Sequence, residues 1–225
     1  MTKGYFVTGT DTGVGKTLVA CALLRAFAAR GLRAVGMKPV AAGAEASAEG
    51  WKHEDVERLI AAGSVAAARA LVNPYCFAPA IAPHIAAREA GVTIDLGRIE
   101  ESFRALAARA DVVIVEGAGG FRVPLGPAAD TAELAARLAL PVVLVVGMRL
   151  GCLNHALLTA EAIAARRLKL AGWIANHIEP RMAAAEENVR ALEERIAAPL
   201  IARIAFDPAP DFAAIAAAID LAGLA

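Results

Sequence analysis

The chain has 225 residues and a formal net charge of zero, with 23 Lys and Arg set against 23 Asp and Glu. Hydrophobic residues make up 58% of it but aromatics only 5%, so alanine carries much of the apolar content and favours helices packed closely on a sheet. Nothing in this balance suggests nucleic acid or an anionic membrane as partner.

The length suits one large domain or two small ones. Cys21, Cys76 and Cys152 have no metal spacing, and an odd count argues for a reducing compartment over a disulfide scaffold. The N-terminus enters a strand at once, so no signal peptide is visible. The longest apolar run, 138–148, is too short to span a bilayer. The expectation is a soluble cytoplasmic protein.

In chain order, 3–8 reads as a buried first strand and 18–30 as an Ala- and Leu-rich helix. Between them lies Gly9-Thr10-Asp11-Thr12-Gly13-Val14-Gly15-Lys16-Thr17. Strand, glycine-rich turn, then Gly-Lys-Thr opening a helix is the context of a phosphate-binding loop. Small residues let backbone N–H groups turn inward around an anion, and the helix start adds unpaired N–H groups. Lys16 can reach outer phosphates and the Thr17 hydroxyl a magnesium ion. The spacing departs from Gly-x4-Gly-Lys-Thr, because Thr10 stands where the first glycine belongs and Gly9 sits one residue early.

Residues 32–40 read as a second strand with Lys38-Pro39 at its C-terminal end. In open α/β sheets that end faces the ligand, so Lys38 is either a ligand-facing cation or a solvated strand end. Residues 41–50 are small and polar, hence a loop, and 53–62 has a helical pattern. Asp55 in its first turn reads by spacing alone as a capping charge. With three prolines, 72–84 must be extended or turning, and His84 within it reads as structural. An amphipathic helix follows over 94–109.

The stretch 111–116 holds a continuous β-branched run over 112–115, as in a parallel strand buried on both faces, and ends in Glu116 followed by Gly117-Ala118-Gly119-Gly120. An acidic residue there suits magnesium in a Walker-type site. After a short helix over 131–139, 140–147 is another buried strand that turns through 148–155 into a helix over 156–166. That helix start is a second anion site facing the ligand edge. Cys152 within it lacks the orienting base a nucleophile needs. Residues 170–176 form a strand ending in Asn176, which either meets a base edge or forms a turn. A charged helix over 184–197, a strand over 200–204 and a helix over 212–219 capped by Asp211 complete the chain. Alternating strands and helices imply one parallel α/β domain over 1–225, a P-loop NTPase-like sheet flanked by helices.

The chain resembles the dethiobiotin synthases from Tyr5 to about Ile204. The matching blocks are Tyr-Phe-Val-Thr-Gly-Thr-Asp-Thr-x-Val-Gly-Lys-Thr at 5–17, Gly-x-Lys-Pro-Val at 36–40, Asn-Pro-Tyr at 73–75 and Pro-His at 83–84. Further on stand Val-Glu-Gly-Ala-Gly-Gly at 115–120, Gly-Cys-Leu-Asn-His-Ala-Leu-Leu-Thr at 151–159 and Gly-Trp-Ile-Ala-Asn at 172–176. The displaced glycine is shared with the family.

The resemblance implies a cyclo-ligase that joins CO2 (or bicarbonate) to 7,8-diaminononanoate, with ATP as co-substrate and Mg2+. It implies catalytic roles for Thr12, Lys16 and Lys38. It implies nucleotide contacts from Gly13, Val14, Gly15, Lys16, Thr17, Glu116, Gly117 and Gly119, with adenine read by Asn176. Magnesium would lie among Thr17, Asp55 and Glu116, which replaces the capping role read for Asp55. Substrate contacts would come from Thr12, Lys38, Ala42 and Asn188, and from Gly151, Cys152 and Asn154 across the two-fold interface of a homodimer. Four positions depart from the family pattern: Ala42 for a serine, Gly13 for a glutamate, Asn188 for a tyrosine and Ala205 for a proline. The rival reading is a nucleotide-driven switch of the partitioning or septum-positioning type. Those proteins carry a lysine where this loop has Asp11.

Overall fold

The computed structural model describes residues 3–48 and 50–224. The elements run β1 (Lys3–Gly9), α1 (Lys16–Ala29), β2 (Ala34–Met37), β3 (Val40–Ala42), β4 (Glu45–Ser47), β5 (Gly50–Lys52), α2 (Glu54–Ala62), α3 (Arg69–Val72) and β6 (Tyr75–Phe77). They continue with α4 (Pro83–Glu89), α5 (Leu96–Ala107), β7 (Val112–Glu116), α6 (Thr131–Leu138), β8 (Val142–Met148) and α7 (Cys152–Ala165). Last come β9 (Leu170–His177), α8 (Ala185–Glu193), β10 (Leu200–Ile204) and α9 (Phe212–Ala218).

Six strands form one parallel sheet in the order β10-β9-β8-β1-β7-β2. Helices α1, α2 and α9 cover one face, where Val19, Leu23, Leu24, Phe27 and Leu59 pack on Tyr5, Val7 and Ile114. The other face is closed by Ile99, Leu106 and Leu134 over Phe6, Val113 and Val115, and by a cluster around Trp173. Both faces are covered, so β7 and β8 are apolar at nearly every position and buried throughout. Register aligns the C-terminal strand ends: Val7 lies beside Glu116, Met37 beside Val115 and Gly147 beside Asn176. The loops leaving this edge build the site.

Three expectations change. Residues 41–50 are not a plain loop, because β3 pairs in parallel with β6 and β4 forms a hairpin with β5. Those pairings are decided by partner strands, which a small polar segment does not announce. The strand expected over 32–40 is broken: β2 ends at Met37, and the chain resumes at Val40 in a separate sheet. The Lys38 N–H at the break donates to Val72 O. Finally, 72–84 is not wholly extended. Pro83 opens α4 at the first helical position, where its missing N–H costs no hydrogen bond, and so His84 is helical.

Candidate nucleotide and substrate site

The loop after β1 explains its own unusual spacing. Val14 is buried and folds back onto the sheet edge, so that a Cβ at position 9 would lie 2.5 Å from Val14 Cγ2. Gly9 is therefore the residue this packing requires. Thr10 ties the loop to β8, its Oγ1 accepting from Gly147 N–H at 3.3 Å. Gly13 and Gly15 take positive φ of 76° and 90°, which aims the following backbone N–H groups inward. Asn176, at the end of β9, donates through Nδ2 to Val14 O at 2.8 Å.

Lys16 and Thr17 open α1 on the inner side of the loop. Lys16 Nζ donates to Asp11 O at 2.9 Å. Burial pulls its pKa down to about 8, although the Glu116 carboxylate pulls the other way. Thr17 Oγ1 donates to Glu116 Oε1 at 2.8 Å.

Lys38 sits where β2 breaks, only 5% exposed. Its ammonium lies 2.5 Å from Asp55 Oδ2 and 2.6 Å from Glu116 Oε1. Burial lowers the lysine's pKa, but Glu116 and Asp55 more than offset this and hold it above its ordinary value. Asp55 shows the mirror case: burial raises it, and the Lys38 charge brings it below the usual carboxylate range. The cap of α2 is supplied by His53, whose Nδ1 accepts from Asp55 N–H at 3.2 Å. The capping role read for Asp55 from spacing is thus taken by its neighbour, and the Asp55 side chain is free to turn inward.

Thr12, Gly13, Gly15, Lys16, Thr17, Lys38, Ala42, Asp55, Glu116 and Gly119 all line one cavity of about 820 Å³. Val14 and Asn176 lie beneath the loop as its support, and Gly117 packs against Phe6 with its N–H donating to Val7 O. Gly151, Cys152, Asn154 and Asn188 do not line this cavity within one chain. Cys152 is buried beside Leu144, Val146 and Met148, and Asn188 Nδ2 donates to Ala184 O.

Sequence reading did not single out His53 or Arg122, both of which line the cavity. A polar residue just before an acidic first turn was the available signal for His53. For Arg122 it was a lone basic residue after the glycines at 117–120.

The donor set fits a hard divalent cation. Glu116 Oε2 is buried without a hydrogen-bond partner, and Thr17, Asp55 and Glu116 present only oxygen donors. Among the described residues no group of three or more His, Cys, Asp or Glu side chains converges to hold a metal by itself, and here Asp55 and Glu116 are joined by a hydroxyl.

A parallel sheet with a glycine-rich loop running into Gly-Lys-Thr, and an acidic strand end facing it, defines a P-loop nucleotide-binding protein. Solved structures agree on the fold. The MinC:MinD cell division protein complex of Aquifex aeolicus matches with TM-score 0.56 and 14% identity, over 92% of this chain and 82% of that one. A ParA family ATPase from Chlorobium tepidum matches with TM-score 0.56 and 15% identity, over 92% and 85%. An AAA-domain family model covers residues 3–212.

Sequence relatives go further. The ATP-dependent dethiobiotin synthetase BioD of Aromatoleum aromaticum is 58% identical over 221 residues, spanning 98% of each chain. That of Nitrosospira multiformis is 55% identical over 222 residues, spanning 99% of this chain and 96% of its own. The chain belongs to the family of ATP-dependent dethiobiotin synthetases, which are ligases.

Proposed function

We propose that the protein carboxylates 7,8-diaminononanoate and closes the ureido ring of dethiobiotin, consuming ATP. One amine adds to CO2 and loses a proton, giving a carbamate. A carbamate oxygen attacks the γ-phosphorus, ADP leaves, and a mixed carbamic-phosphoric anhydride forms. The second amine attacks the carbamoyl carbon, phosphate leaves, and the ring is closed with loss of a proton. No covalent bond to the protein is needed, so the residues act by charge neutralisation, positioning and water exclusion.

The observation that carries this reading is Lys38, buried between two carboxylates in the cavity that the phosphate loop also lines. A cation there neutralises charge on both carbamate and γ-phosphate. Lys16 and the Thr12 hydroxyl stand on the loop side of the same cavity and hold the phosphate and carbamate oxygens. Thr17, Asp55 and Glu116 would hold magnesium brought in with the nucleotide. When bound, that ion neutralises charge on the phosphate oxygens. Asn176, whose Nδ2 holds the loop, meets the adenine edge with its remaining polar capacity.

The carboxylate tail is taken by the helix start at Gly151, Cys152 and Asn154 of the partner subunit in a homodimer. In support, that start lies outside the cavity of its own chain and is preceded by Leu150, which is 97% exposed. A fully exposed leucine beside an anion-receiving helix start suits a surface that another subunit covers. The deciding measurement is phosphate release. It should require both the diamine and bicarbonate, whereas a nucleotide switch would hydrolyse ATP without either.

A further inference from the structure

We propose that Asp11 and Arg149 are positioning residues, whose ion pair fixes the α7 start that receives the carboxylate of substrate bound in the partner subunit's site. The inference rests on the shared-site reading above and names what holds the receiving helix in place.

Asp11 is the loop residue that sets this chain apart from the switch-type proteins, which carry a lysine there, and the reaction itself gives it no task. Its two carboxylate oxygens have separate partners. Oδ1 accepts from Thr12 N–H at 2.7 Å, and Oδ2 accepts from Arg149 Nη2. Asp11 is held below the usual carboxylate range first by the Thr12 N–H and then, against burial, by Arg149 and by His155 in the first turn of α7. One acidic side chain of the phosphate loop thus faces two basic residues of the segment after β8.

The Asp11 end of the pair is firmly held. Thr10 N–H donates to Val145 O at 3.0 Å, and Gly147 N–H donates to Thr10 Oγ1 at 3.3 Å, so the loop is tied to β8 on the residue before Asp11. Lys16 Nζ bonds the Asp11 carbonyl itself at 2.9 Å.

The Arg149 end is the part that needs holding. Three residues, 149–151, separate β8 from α7. Leu150 among them is exposed, and Gly151 takes a φ of +95°. Arg149 O accepts from Cys152 N–H at 3.0 Å, which closes the turn, and Cys152 is buried beside Val146 and Met148. No side chain caps α7, so its leading N–H groups are open to a bound anion. Two anchors set where those groups point: the buried Cys152, and the Arg149 side chain on Asp11. Without the second, the turn is held at one end only. The pair is half-exposed, with side chains 36% and 46% accessible, and such pairs add little to folding stability. Its loss should therefore be read in substrate binding.

The test uses full-length dimers. Arg149→Met and Asp11→Asn homodimers should each raise the KM for 7,8-diaminononanoate about fivefold, the upper end of what a half-exposed ion pair is worth. The kcat and the KM for ATP should stay near the parent's values. Asn at position 11 keeps an acceptor for Thr12 N–H and loses the charge that holds Arg149, and Arg149→Lys should recover part of the loss. Dimers assembled from two differently tagged chains then show which site is affected. With Lys16→Ala in one chain and Arg149→Met in the other, the working site joins the phosphate loop of the Arg149→Met chain to the intact α7 start of the Lys16→Ala chain. Its KM for the diamine should return to the parent's value. With both substitutions in one chain and none in the other, the working site receives the altered α7 start, and its KM should stay raised.

A KM raised in the first dimer and normal in the second would show that Arg149 braces its own phosphate loop, and would overturn the proposal. So would an unchanged KM in the Arg149→Met homodimer. If Asp11→Asn binds the diamine as the parent does while Arg149→Met does not, Arg149 acts without Asp11 and the pair is not the device. The same two layouts with Asn154→Glu in place of Arg149→Met test the shared site by itself. An Asn154→Glu defect that stays within its own chain would overturn the shared-site reading, and this proposal with it. An Asn154→Glu defect that crosses the interface while that of Arg149→Met does not would overturn this proposal alone.

Discussion

The Lys38 ammonium lies 2.6 Å from Glu116 Oε1, with Lys38 5% and Glu116 1% exposed, Lys38 just past the end of β2 and Glu116 at the end of its neighbour β7. A buried ion pair of this kind is costly to break from one side, because the remaining charge is left without water or counter-charge. Lys38→Gln should lower stability by about 3–5 kcal/mol. Lys38→Gln with Glu116→Gln should be less destabilised than the sum of the single variants, measured by denaturant titration. Additive losses would mean that the pair is not coupled. At saturating ATP, Lys38→Gln should also turn over poorly while binding ATP nearly normally.

Lys16 titrates close to neutrality because it is buried, with its pKa near 8. Bound polyphosphate favours the charged form and raises that value. Above pH 8, a growing share of the nucleotide-free protein carries a neutral Lys16, so ATP binding near pH 8–9 should take up as much as one proton. Calorimetry in two buffers of different ionisation enthalpy reads this directly. The uptake should vanish in Lys16→Ala, whose phosphate-transfer rate should fall by ~10²–10³. Equal proton uptake in the variant would sink the assignment.

Asn176 Nδ2 fills the space that a side chain at position 15 would need. A Cβ on Gly15 would fall 2.2 Å from Asn176 Nδ2, and φ there is +90°. Gly15→Ala should therefore release the Asn176 bond to Val14 O and disorder the phosphate loop, raising the KM for ATP well over tenfold. Asn176→Ala should cost about 1 kcal/mol of stability, the worth of one buried hydrogen bond. In the double variant the Gly15→Ala defect should shrink, since the clash is gone. An unrelieved defect would place the harm in φ strain alone.

The shared site can be tested by mixing variants. Lys16→Ala damages the phosphate loop, and Asn154→Glu places a repelling acid at the α7 start. If each site draws on both subunits, the mixed dimer holds one site with both lesions and one with neither, and activity returns on re-equilibration. Mixed dimers that remain inactive would show that both lesions fall in one subunit's own site.

Much of this protein is legible in the sequence because the information is local. A β-branched run such as 112–115 reads as a buried parallel strand whatever surrounds it, and Gly-Lys-Thr after a strand specifies a phosphate loop through backbone geometry alone. What only the tertiary structure decided involves residues far apart in sequence. Asp55 looks like a helix cap until β2 breaks and brings the Lys38 ammonium to it, leaving the cap to His53. The hairpin within 45–52 and the pairing of β3 with β6 depend on partner strands, not on any pattern in those residues. Gly9 is displaced because Val14, five residues on, folds back over it. Arg122 is a single basic residue in sequence, and it reaches the cavity because Asp130 holds its Nε and Thr131 grips its loop. Local propensity and period are properties of a segment, whereas a buried charge is placed by whatever distant partner neutralises it, and only the folded chain brings the two together.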